Sequence, residues 1–539
     1  MKKIVIVFAL FITIYSTPMN AQVTQEWVAT YSGTGSGYNF PKKSAIDKFG
    51  NFIVAGNSDS TDDYDYIILK YSPYGNLIWK QRYNGTANSY DYLIGMVLDD
   101  SNNVYVTGGS DEGILNGSVN WVTIKYNSEG IMKWKKSLNW IYGGVDEPFG
   151  MAIDKNRNIY VTGYGKVTNA ERAMVTIKYD SNGDSLWTKN YVSLPQRSNW
   201  GYSVVADDFL NVYSSGYGAV PTGNEIISIK YDAAGNEKWV KKWPTNSGDY
   251  LRPTFSAVDK ENNLIVVGYS YFSNSYDIVT LKYTANGDTL WSRIYNGGNT
   301  DRANSLFLDE DSDILIAGYT DTDTYGDYLI LKYASNGDTL LLKKINGEDP
   351  GSSDEAFAII SDSLKNIYVT GYSQSMSFNY DYLTLKLSKE GNSLWSKVYR
   401  TSHDNFSYCL NLDHSKSIYI SGEAEQNGGN TAIASVKYSQ MTGMLYAKDE
   451  VIENFELSNY PNPFNPNTLI SFRILSNSLI KLRISDVLGR EVETLMDEYK
   501  LKGEYKINFN SYNYPSGIYF YSLFSNGTIV KTNRMLIIK

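Results

Sequence analysis

Carboxylate side chains recur at two sets of regularly spaced positions, and carboxylates can bind cations or cap turns. The first set begins a turn in each of several related segments and is usually followed, four residues later, by asparagine. This spacing favours Asx turns, in which the carboxylate accepts backbone N–H groups. Calcium is the alternative around the oxygen-rich Asp309–Asp313, which lacks the spacing and closing glutamate of an EF-hand. The set comprises Asp47, Asp99, Asp154, Asp207, Asp259, Asp309, Asp362 and Asp413.

The second set lies about eight residues earlier and precedes a strand-like run in each segment. It comprises Asp91, Asp146, Asp301, Asp354 and Asp404, with Asn39 and Asn199 at equivalent positions. If these strands surround one axis, the carboxylates meet at one mouth of a central channel, where like charges repel. Either hydrogen bonds to neighbouring segments or a bound cation or cationic ligand must offset that repulsion. Hydrogen bonding is the favoured interpretation, so we predict no cofactor. In the alternative, the candidate ligands of a cation such as calcium are Asp91, Asp146, Asp301 and Asp354.

Groups that usually perform catalysis are scarce in this chain. The histidines are His403 and His414, and the single cysteine, Cys409, lies in an alternating run typical of a buried strand. These three residues are not at zinc-binding spacing, and no GxSxG, HExxH or phosphate-loop motif is present. No pair of carboxylates stands out for glycoside hydrolysis, and no arginine cluster is recognisable that could hold a carboxylated sugar. We therefore predict no catalytic residue and a non-enzymatic protein.

A repeat of about 52 residues positions these groups. The phrase Asn-Val-Tyr-Val-Thr-Gly at Asn103–Gly108 returns as Asn-Ile-Tyr-Val-Thr-Gly at Asn158–Gly163 and at Asn366–Gly371. The glycines that close this phrase and its variants are spaced by 50 to 55 residues. They are Gly56, Gly108, Gly163, Gly216, Gly268, Gly318, Gly371 and Gly422.

A second phrase has the same period and shows how each repeat is built. A strand-like run ends in Lys-Tyr, a glycine-containing turn follows, and a tryptophan comes next, as at Lys70, Gly75 and Trp79. Alternation of period two then predicts four short strands per repeat, which is the pattern of a β-propeller blade. Eight copies predict eight blades, with a seven-bladed ring and one irregular unit as the alternative. An extra fourth-strand pattern, Trp27-x-x-x-Tyr31, precedes the first blade and is predicted to close the ring.

The phrase Asp…Gly-Asn-hydrophobic-Tyr-Val-Thr-Gly resembles the SBBP β-propeller repeats of exported bacterial proteins. The resemblance covers residues 27–447, and we assign 22–447 to the propeller domain. It implies the fold and leaves the function open, because a fold alone does not determine a role.

The C-terminal region has a different pattern and predicts a small β-sandwich at 458–539, after a linker at 448–457. This region resembles the type A sorting domain of the type IX secretion system. The resemblance rests on Tyr460, Pro461, Asn462, Pro463 and Phe464, on the turn with Gly489, on the segment with Gly517 and on the end at Lys539. It implies recognition by the secretion machinery and transport across the outer membrane, followed by release or attachment at the cell surface.

The N-terminal residues 1–21 have the pattern of a secretory signal peptide. Lys2 and Lys3 precede an apolar run, Ile4–Ile14, that is too short to serve as a membrane span. We predict cleavage between Ala21 and Gln22. No later segment contains 18 consecutive apolar residues, so the mature protein is predicted to be secreted and not transmembrane.

The charge distribution argues against nucleic acid as a partner. The formal net charge is −9, and residues 23–454 contain 51 of the 58 acidic residues but only 37 of the 49 basic ones. A nucleic-acid-binding protein needs a basic face, which this region does not offer. We therefore predict a monomeric, secreted binding or adhesion protein for a glycan or a protein. The alternatives are a secreted polysaccharide hydrolase or lyase and a structural surface scaffold.

Aromatic residues make up 14% of the chain, and several are predicted to lie in loops, where they could stack on a ligand. Packing at a buried rim is the alternative interpretation. These residues are Tyr38, Tyr64, Tyr90, Trp140, Trp200, Tyr250, Phe272 and Tyr325.

Overall fold

The structure is a computed structural model that describes most of the chain. It describes residues 23–35, 37–59, 63–113, 119–139, 145–168, 171–194, 197–221, 223–243, 250–272, 275–321, 325–347, 351–376, 379–426, 428–440, 457–474, 478–487, 490–525 and 528–539. The predicted signal peptide, its cleavage site at Ala21 and Gln22, the predicted linker up to residue 456, and Gly489 lie outside the described residues. The chain divides into two compact units, residues 1–442 and 443–539.

All regular secondary structure in the described residues is β-strand. Strand β1 (Val23–Tyr31) precedes the first repeat. The first four repeats contain β2 (Asn39–Ile46), β3 (Phe52–Asp59), β4 (Tyr64–Tyr71), β5 (Leu77–Tyr83), β6 (Tyr92–Leu98), β7 (Val104–Asp111), β8 (Val119–Tyr126), β9 (Met132–Leu138), β10 (Glu147–Ile153), β11 (Ile159–Thr168), β12 (Glu171–Tyr179), β13 (Ser185–Tyr191), β14 (Asn199–Ala206), β15 (Val212–Val220), β16 (Gly223–Tyr231) and β17 (Glu237–Trp243).

The later repeats continue the same order of strands. They contain β18 (Tyr250–Val258), β19 (Leu264–Phe272), β20 (Ser275–Tyr283), β21 (Thr289–Tyr295), β22 (Thr300–Leu308), β23 (Ile314–Asp321), β24 (Gly326–Tyr333), β25 (Thr339–Ile345), β26 (Asp354–Ser361), β27 (Ile367–Gln374), β28 (Tyr380–Leu387), β29 (Ser393–Tyr399), β30 (Asn405–Leu412), β31 (Ile418–Glu425) and β32 (Thr431–Gln440).

Each repeat forms an antiparallel four-stranded sheet, which confirms the predicted propeller fold. Separate sheets contain β2–β5, β6–β9, β10–β13 and β26–β29. Strands β14–β25 form consecutive sheets of the same kind, joined by short parallel bridges at Asn224–Tyr250 and Tyr276–Thr300.

The first and last parts of the propeller share one sheet, which has the strand order β1-β32-β31-β30. Strand β1 runs antiparallel to β32, from Val23 opposite Gln440 to Tyr31 opposite Ile433. Trp27 also packs into a core cluster with Phe52 of the first repeat and Tyr419 of the last. The prediction that the N-terminal strand closes the ring is therefore confirmed, and the edge of β32 is covered.

The first strand of each repeat lies innermost and contacts the first strand of the next repeat. The series runs from β2 through β6, β10, β14, β18, β22 and β26 to β30, which contacts β2 again. Each of these strands changes register near its start, as between Pro41 and Lys43 and between Ala303 and Ser305. Such a β-bulge adds one residue to the strand and changes the direction in which the side chain of that residue points.

Neighbouring repeats are joined by a hydrogen-bonded contact, which we call the latch. It is formed by the lysine, the tryptophan and the glycine-containing turn of the second sequence phrase. The indole Nε1 of Trp79 and the ammonium Nζ of Lys70 both donate to the backbone oxygen of Ser128, at 3.0 and 3.1 Å. Ser128 lies in the turn that contains Gly130, whose φ is +83°. A Cβ atom at Gly130 would lie 2.8 Å from the Trp79 ring, so glycine is needed there for two reasons.

The same latch recurs around the ring. Five further tryptophans donate to the turn of the next repeat: Trp27, Trp134, Trp187, Trp239 and Trp291. In the sixth repeat Leu341 occupies the indole position over Gly391. Trp395 and Lys386 instead donate to the side-chain oxygen of Gln440.

The first set of aspartates forms the predicted Asx turns between the first two strands of the repeats. Oδ1 of Asp47 accepts the backbone N–H groups of Phe49 and Asn51, both at 2.9 Å, while Oδ2 accepts the Asn51 amide at 2.8 Å. Equivalent bonds are made by Asp99, Asp154, Asp207, Asp259 and Asp362. These carboxylates therefore shape turns at the edge away from the starts of the innermost strands.

The C-terminal unit is a two-layered β-domain. Its strands are β33 (Leu457–Tyr460), β34 (Asn467–Ile474), β35 (Ser478–Ser485), β36 (Glu491–Lys500), β37 (Gly503–Asn510), β38 (Gly517–Ser525) and β39 (Thr528–Ile537). One sheet has the order β33-β34-β37 and the other β36-β35-β38-β39. Side chains such as Phe472, Ile484 and Leu523 form its buried core.

Candidate functional site

Five of the innermost strands, β2, β18, β22, β26 and β30, line an open cavity of about 780 Å³. Aromatic rings are prominent in its wall: Phe357 and Tyr408 make an edge-to-face pair with centroids 5.0 Å apart, and Phe40 and Tyr64 make another at 5.7 Å. The full lining is Tyr38, Phe40, Pro41, Lys42, Lys43, Ser44, Tyr64, Phe255, Asn304, Ser305, Leu306, Phe357, Ala358, Tyr408, Cys409, Leu410 and Glu423. The site therefore combines ring faces with amide, hydroxyl and charged groups.

The bulges of the innermost strands supply several of these lining side chains. Lys42, Asn304, Phe357 and Tyr408 are the extra residues of β2, β22, β26 and β30, respectively. All four line the cavity. The bulge, which is a feature of the repeat, thus presents variable side chains at the propeller centre.

Two lysines and one glutamate give the cavity its charge. Burial, with the neighbouring ammonium of Lys43, lowers the pKa of Lys42, whose Nζ also lies 5.0 Å above the Phe40 ring. Burial raises the pKa of Glu423. Its Oε2 accepts a long hydrogen bond of 3.4 Å from the Tyr408 hydroxyl. Both shifts have one physical cause, which is the cost of holding a charge where water is partly excluded.

The cysteine and the histidines do not form a reactive cluster with one another. Cys409 is buried, and this burial raises the pKa of its thiol to about 11, so the sulfur is protonated at neutral pH. His403 hydrogen-bonds Ser402 through Nδ1 on an exposed loop. Among the described residues, no group of three or more His, Cys, Asp or Glu side chains is arranged to hold a metal ion.

Asp91 and Asp146 are buried at the starts of their repeats, where they join one repeat to the preceding one. The backbone N–H of Asp91 donates to the oxygen of Tyr64 at 2.7 Å, and that of Asp146 donates to Val119 at 2.9 Å. The Asp91 carboxylate accepts the backbone N–H groups of Gly85 and Asp111, and the Asp146 carboxylate accepts that of Lys166. Neither residue is among those that line the cavity.

Asp301 and Asp354 occupy equivalent buried positions. The Asp301 carboxylate accepts the Gly297 N–H and the Thr320 hydroxyl, each at 2.6 Å, and Asp354 accepts the Gly347 N–H at 2.9 Å. Burial raises the pKa of Asp301, and it raises those of Asp91 and Asp354 to about 6. Each of the four carboxylates thus accepts at least one hydrogen bond from the protein itself, while Oδ1 of Asp354 is buried without a hydrogen-bond partner among the described residues. Calcium binding at these four aspartates stays a prediction.

The structure also corrects one position in this series. The sequence pattern assigned Asp404 to this position, but the structure places Asn405 there. Asn405 lies opposite Ala424 on the second strand of its repeat, just as Asn39 lies opposite Ser58. Asp404 precedes the strand, and its Oδ1 accepts the Tyr380 N–H at 2.9 Å. The loop before β30 places the acid one residue early, which spacing alone did not show.

Sequence reasoning missed a band of arginines and aromatic rings near the starts of the innermost strands. The Arg172 guanidinium lies 5.3 Å from the Tyr164 ring centroid and 6.0 Å from that of Trp200. Trp200 lies parallel to Tyr202, with centroids 6.5 Å apart, and Arg252 lies 4.1 Å above Tyr202.

The band continues into the next repeats. Arg252 donates a long hydrogen bond, 3.4 Å, to the Tyr269 hydroxyl. Tyr269 packs edge-on against Tyr276 at 5.3 Å, and Arg302 lies 5.0 Å from the Tyr276 ring. We call the eight residues the arginine–aromatic band: Tyr164, Arg172, Trp200, Tyr202, Arg252, Tyr269, Tyr276 and Arg302. The sequence contained one indication of this band: Arg252 and Arg302 occupy the same position of successive repeats.

Of the loop aromatics singled out from the sequence, four are about half exposed: Tyr38, Tyr90, Tyr250 and Tyr325. Trp200 belongs to the arginine–aromatic band, and Tyr64 lines the cavity together with Tyr38. Trp140 and the side chain of Phe272 lie outside the described residues.

In the C-terminal unit, the predicted sorting motif ties the start of the domain to its last strand. Phe464 is buried, and its N–H donates to Leu536 while its oxygen accepts the Ile538 N–H, both at 3.1 Å. The Asn462 side chain accepts the Leu536 N–H at 2.9 Å. Tyr460, by contrast, is 84% exposed. Lys539 donates to Ser516, next to Gly517.

Comparison with known families agrees with both units. Residues 458–539 match the family described as a secretion system C-terminal sorting domain, and residues 138–169 match a β-propeller repeat of the SBBP type. The chain carries SBBP propeller repeats and a type IX sorting domain. The sorting domain indicates export by the type IX secretion system to the cell surface or the medium. It also implies interaction with that secretion machinery.

Individual relatives are distant. An uncharacterised WD repeat-containing protein of Acanthamoeba polyphaga mimivirus is 23% identical over 249 residues, which are 40% of this chain and 15% of that protein. The chain thus spans a small part of the length of this curated relative.

Two solved structures are also distant matches. Sqt1 from Chaetomium thermophilum has a TM-score of 0.46 and 10% identity over 78% of this chain and 100% of that one. A polysaccharide lyase of family PL25, an ulvan lyase, has a TM-score of 0.42 and 12% identity over 71% and 97%. In the described part of this chain, nothing helical is long and apolar enough to cross a membrane.

Proposed function

We propose that this exported propeller is a non-enzymatic binding protein that takes a glycan at its central cavity. The observation that carries the proposal is the wall of the cavity, where Phe40, Tyr64, Phe357 and Tyr408 meet Asn304 and the charged groups. Sugars present apolar C–H faces and hydroxyl edges, so a site that binds them needs aromatic faces beside hydrogen-bonding groups. The cavity offers both.

The variability of the lining supports a binding role over a purely structural one. A scaffold needs only the latch and the Asx turns, which recur from repeat to repeat. The bulge residues differ in type, since Lys42, Asn304, Phe357 and Tyr408 stand at equivalent places. Side chains that vary on a constant frame are typical of ligand recognition.

A polysaccharide-cleaving enzyme is the second candidate, and one observation favours it. An amine with a lowered pKa in a cavity can act as a general base, and Lys42 has that property beside Tyr408 and Glu423. Among the described residues that line the cavity, Glu423 is the single carboxylate. The cavity therefore suits proton abstraction by Lys42 better than glycosidase chemistry, which uses a pair of carboxyl groups.

The test is a thermal-unfolding screen of the full chain against neutral and acidic polysaccharides, followed by isothermal titration. A ligand that binds the folded state raises the unfolding midpoint by linkage. Tyr38→Ala should weaken binding, whereas Tyr74→Ala, which changes a more exposed tyrosine in the β4–β5 turn, should not. New chain ends in the incubated polysaccharide would favour the enzyme. No binding to any glycan would refute both candidates.

A further inference from the structure

The three arginines of the arginine–aromatic band differ from three arginines of the propeller that pair with carboxylates, and from Arg293, whose guanidinium donates to the backbone oxygens of Gly337 and Ser292. Arg82 pairs with Asp65, Arg157 with Asp100 and Arg400 with Asp381. Within the described residues, Arg172, Arg252 and Arg302 have no carboxylate within ion-pair distance. In a chain with 58 acidic residues, three neighbouring guanidinium groups without an acid call for an explanation.

Aromatic rings hold these guanidinium groups by their faces. A planar guanidinium that lies on a ring gains cation–π attraction and keeps the N–H donors of its edge available. One of these donors is already unsatisfied, because Nε of Arg252 is buried and has no hydrogen-bond partner among the described residues. Such a pre-oriented edge matches the two oxygens of a carboxylate or sulfate group.

Two glutamates of the same region, Glu147 and Glu355, are hydrogen-bonded to other side chains. Glu147 accepts the Tyr92 hydroxyl at 2.7 Å. Glu355 accepts the Asn304 amide at 2.7 Å and the Tyr372 hydroxyl at 3.0 Å. Among the described residues, neither carboxylate forms an ion pair with the three guanidinium groups of the band.

The band also extends along several repeats. Arg172 lies on β12, Arg252 on β18 and Arg302 on β22, which belong to the third, fifth and sixth repeats. The rings of Trp200 and Tyr202 lie between the first two arginines. Charges separated by ring faces suit a polymer whose acidic groups recur along a chain of sugar rings.

We propose that the arginine–aromatic band binds an acidic glycan, with Arg172, Arg252 and Arg302 each engaging a carboxylate or sulfate group on successive sugars. This inference rests on the proposed glycan-binding function and names its ligand class. The cavity beside the band then holds further units of the same chain, since Phe255 and Asn304 of its wall lie three and two residues beyond Arg252 and Arg302.

The experiment measures binding of the full chain by titration to three polymers with one backbone: dextran, carboxymethyl-dextran and dextran sulfate. Polygalacturonate, alginate and a neutral galactomannan extend the panel. The variants are Arg252→Gln and the combined Arg172→Gln, Arg252→Gln and Arg302→Gln change. Arg157→Gln is the matched control, because Arg157 lies in a turn at the other end of β10 and pairs with the exposed Asp100.

We expect at least one polyanion to bind more tightly than its neutral counterpart, and carboxylated and sulfated polymers to show which anion is preferred. Arg252→Gln should weaken that binding about tenfold and leave the unfolding midpoint unchanged, and added salt should weaken it as well. Arg157→Gln should bind like the parent chain.

Two outcomes would overturn the inference in different ways. Binding of neutral glycans alone, unchanged by the triple arginine variant, would leave the proposed function standing and remove the acidic ligand. Binding of no glycan of either kind would remove both. Equal losses in Arg157→Gln and Arg252→Gln would show a general charge effect and refute a specific band.

Discussion

Trp79 and Lys70 lie on different strands of the same repeat, yet their side chains meet at one atom, the backbone oxygen of Ser128 in the following repeat. The pair therefore acts across the boundary between repeats, although the sequence shows its members nine residues apart. The part-buried Ser128 oxygen thus uses both of its acceptor sites for donors of the neighbouring repeat, which adds directional bonds to the apolar contact between the two sheets.

Gly130→Ala should destabilise the propeller by about 2–4 kcal/mol. Part of the cost is the positive φ, and the larger part is the new Cβ atom 2.8 Å from the Trp79 ring. Gly428→Ala is the matched control, because Gly428 has φ +94° and no atom within 4 Å of the added Cβ. Urea unfolding of both variants isolates the contact with tryptophan, and equal losses would contradict it.

Leu341→Trp should stabilise the sixth repeat by about 1 kcal/mol. Leu341 occupies the place over Gly391 where other repeats carry an indole, and a tryptophan would add a donor toward the turn oxygen. Trp79→Leu, the reverse change, should cost about 2 kcal/mol through the lost hydrogen bond and packing. Denaturant midpoints of the two variants should therefore move in opposite directions, and a loss in both would show that the sixth turn differs in shape.

The stability contributed by Asp91 and Asp354 should fall as pH rises. Their pKa values are about 6 in the folded state and near 3.8 in the unfolded chain, so the folded state binds more protons between these values. The contribution is complete below about pH 4 and is lost as pH rises through 6, by on the order of 1–3 kcal/mol for each group. Denaturant unfolding of the parent chain at pH 5 and pH 7.5 measures it.

The combined Asp91→Asn and Asp354→Asn variant should show a smaller difference in unfolding free energy between those two pH values. Asparagine is compatible with the position, because Asn39 and Asn199 occupy it in other repeats. Asp208→Asn, on an exposed turn, should leave the pH dependence as it is. An unchanged slope in the double variant would show that other groups dominate.

Phe464→Ala should unfold or loosen the sorting domain, at a cost of about 3–5 kcal/mol, because the ring is 3% exposed and packs in the core. Tyr460→Ala should leave the stability of the domain nearly unchanged, since its ring is 84% exposed. Secretion assays then separate folding from recognition. Export that fails in Tyr460→Ala, with the domain still folded, would identify Tyr460 as a contact of the secretion machinery.

The fold could be predicted in detail from the sequence because the residues that define its strands and turns recur in each repeat. Lys70, Gly75 and Trp79 have counterparts in most repeats, so a single periodic pattern disclosed the strands, the turns and the closing strand. In the second repeat the four strands predicted from the alternation of period two are β6, β7, β8 and β9. What the sequence did not disclose is how the latch works, because its acceptor is a backbone atom.

The candidate site was harder to predict for the opposite reason. Ligand-facing residues differ between repeats, so Lys42, Asn304 and Phe357 form no visible pattern until the bulges align them. Arg172 lies on a third strand of its repeat, whereas Arg252 and Arg302 lie on first strands, and only the fold brings them to one band. The buried aspartates gave the stronger periodic signal, yet the partners that the structure gives them are backbone N–H groups and hydroxyl groups of the protein.

The pairing of β1 with β32 bears on how the protein reaches its destination. Glu26 and Ser439, which hydrogen-bond across this pair, are 413 residues apart in sequence. Contacts between residues so far apart in sequence are expected to form late in folding, because the intervening chain must be organised before the two ends can meet. The first strand therefore stays without its partner until the last repeat is available, immediately before the sorting domain. Completion of the ring is thus expected to be the last step in the folding of the propeller.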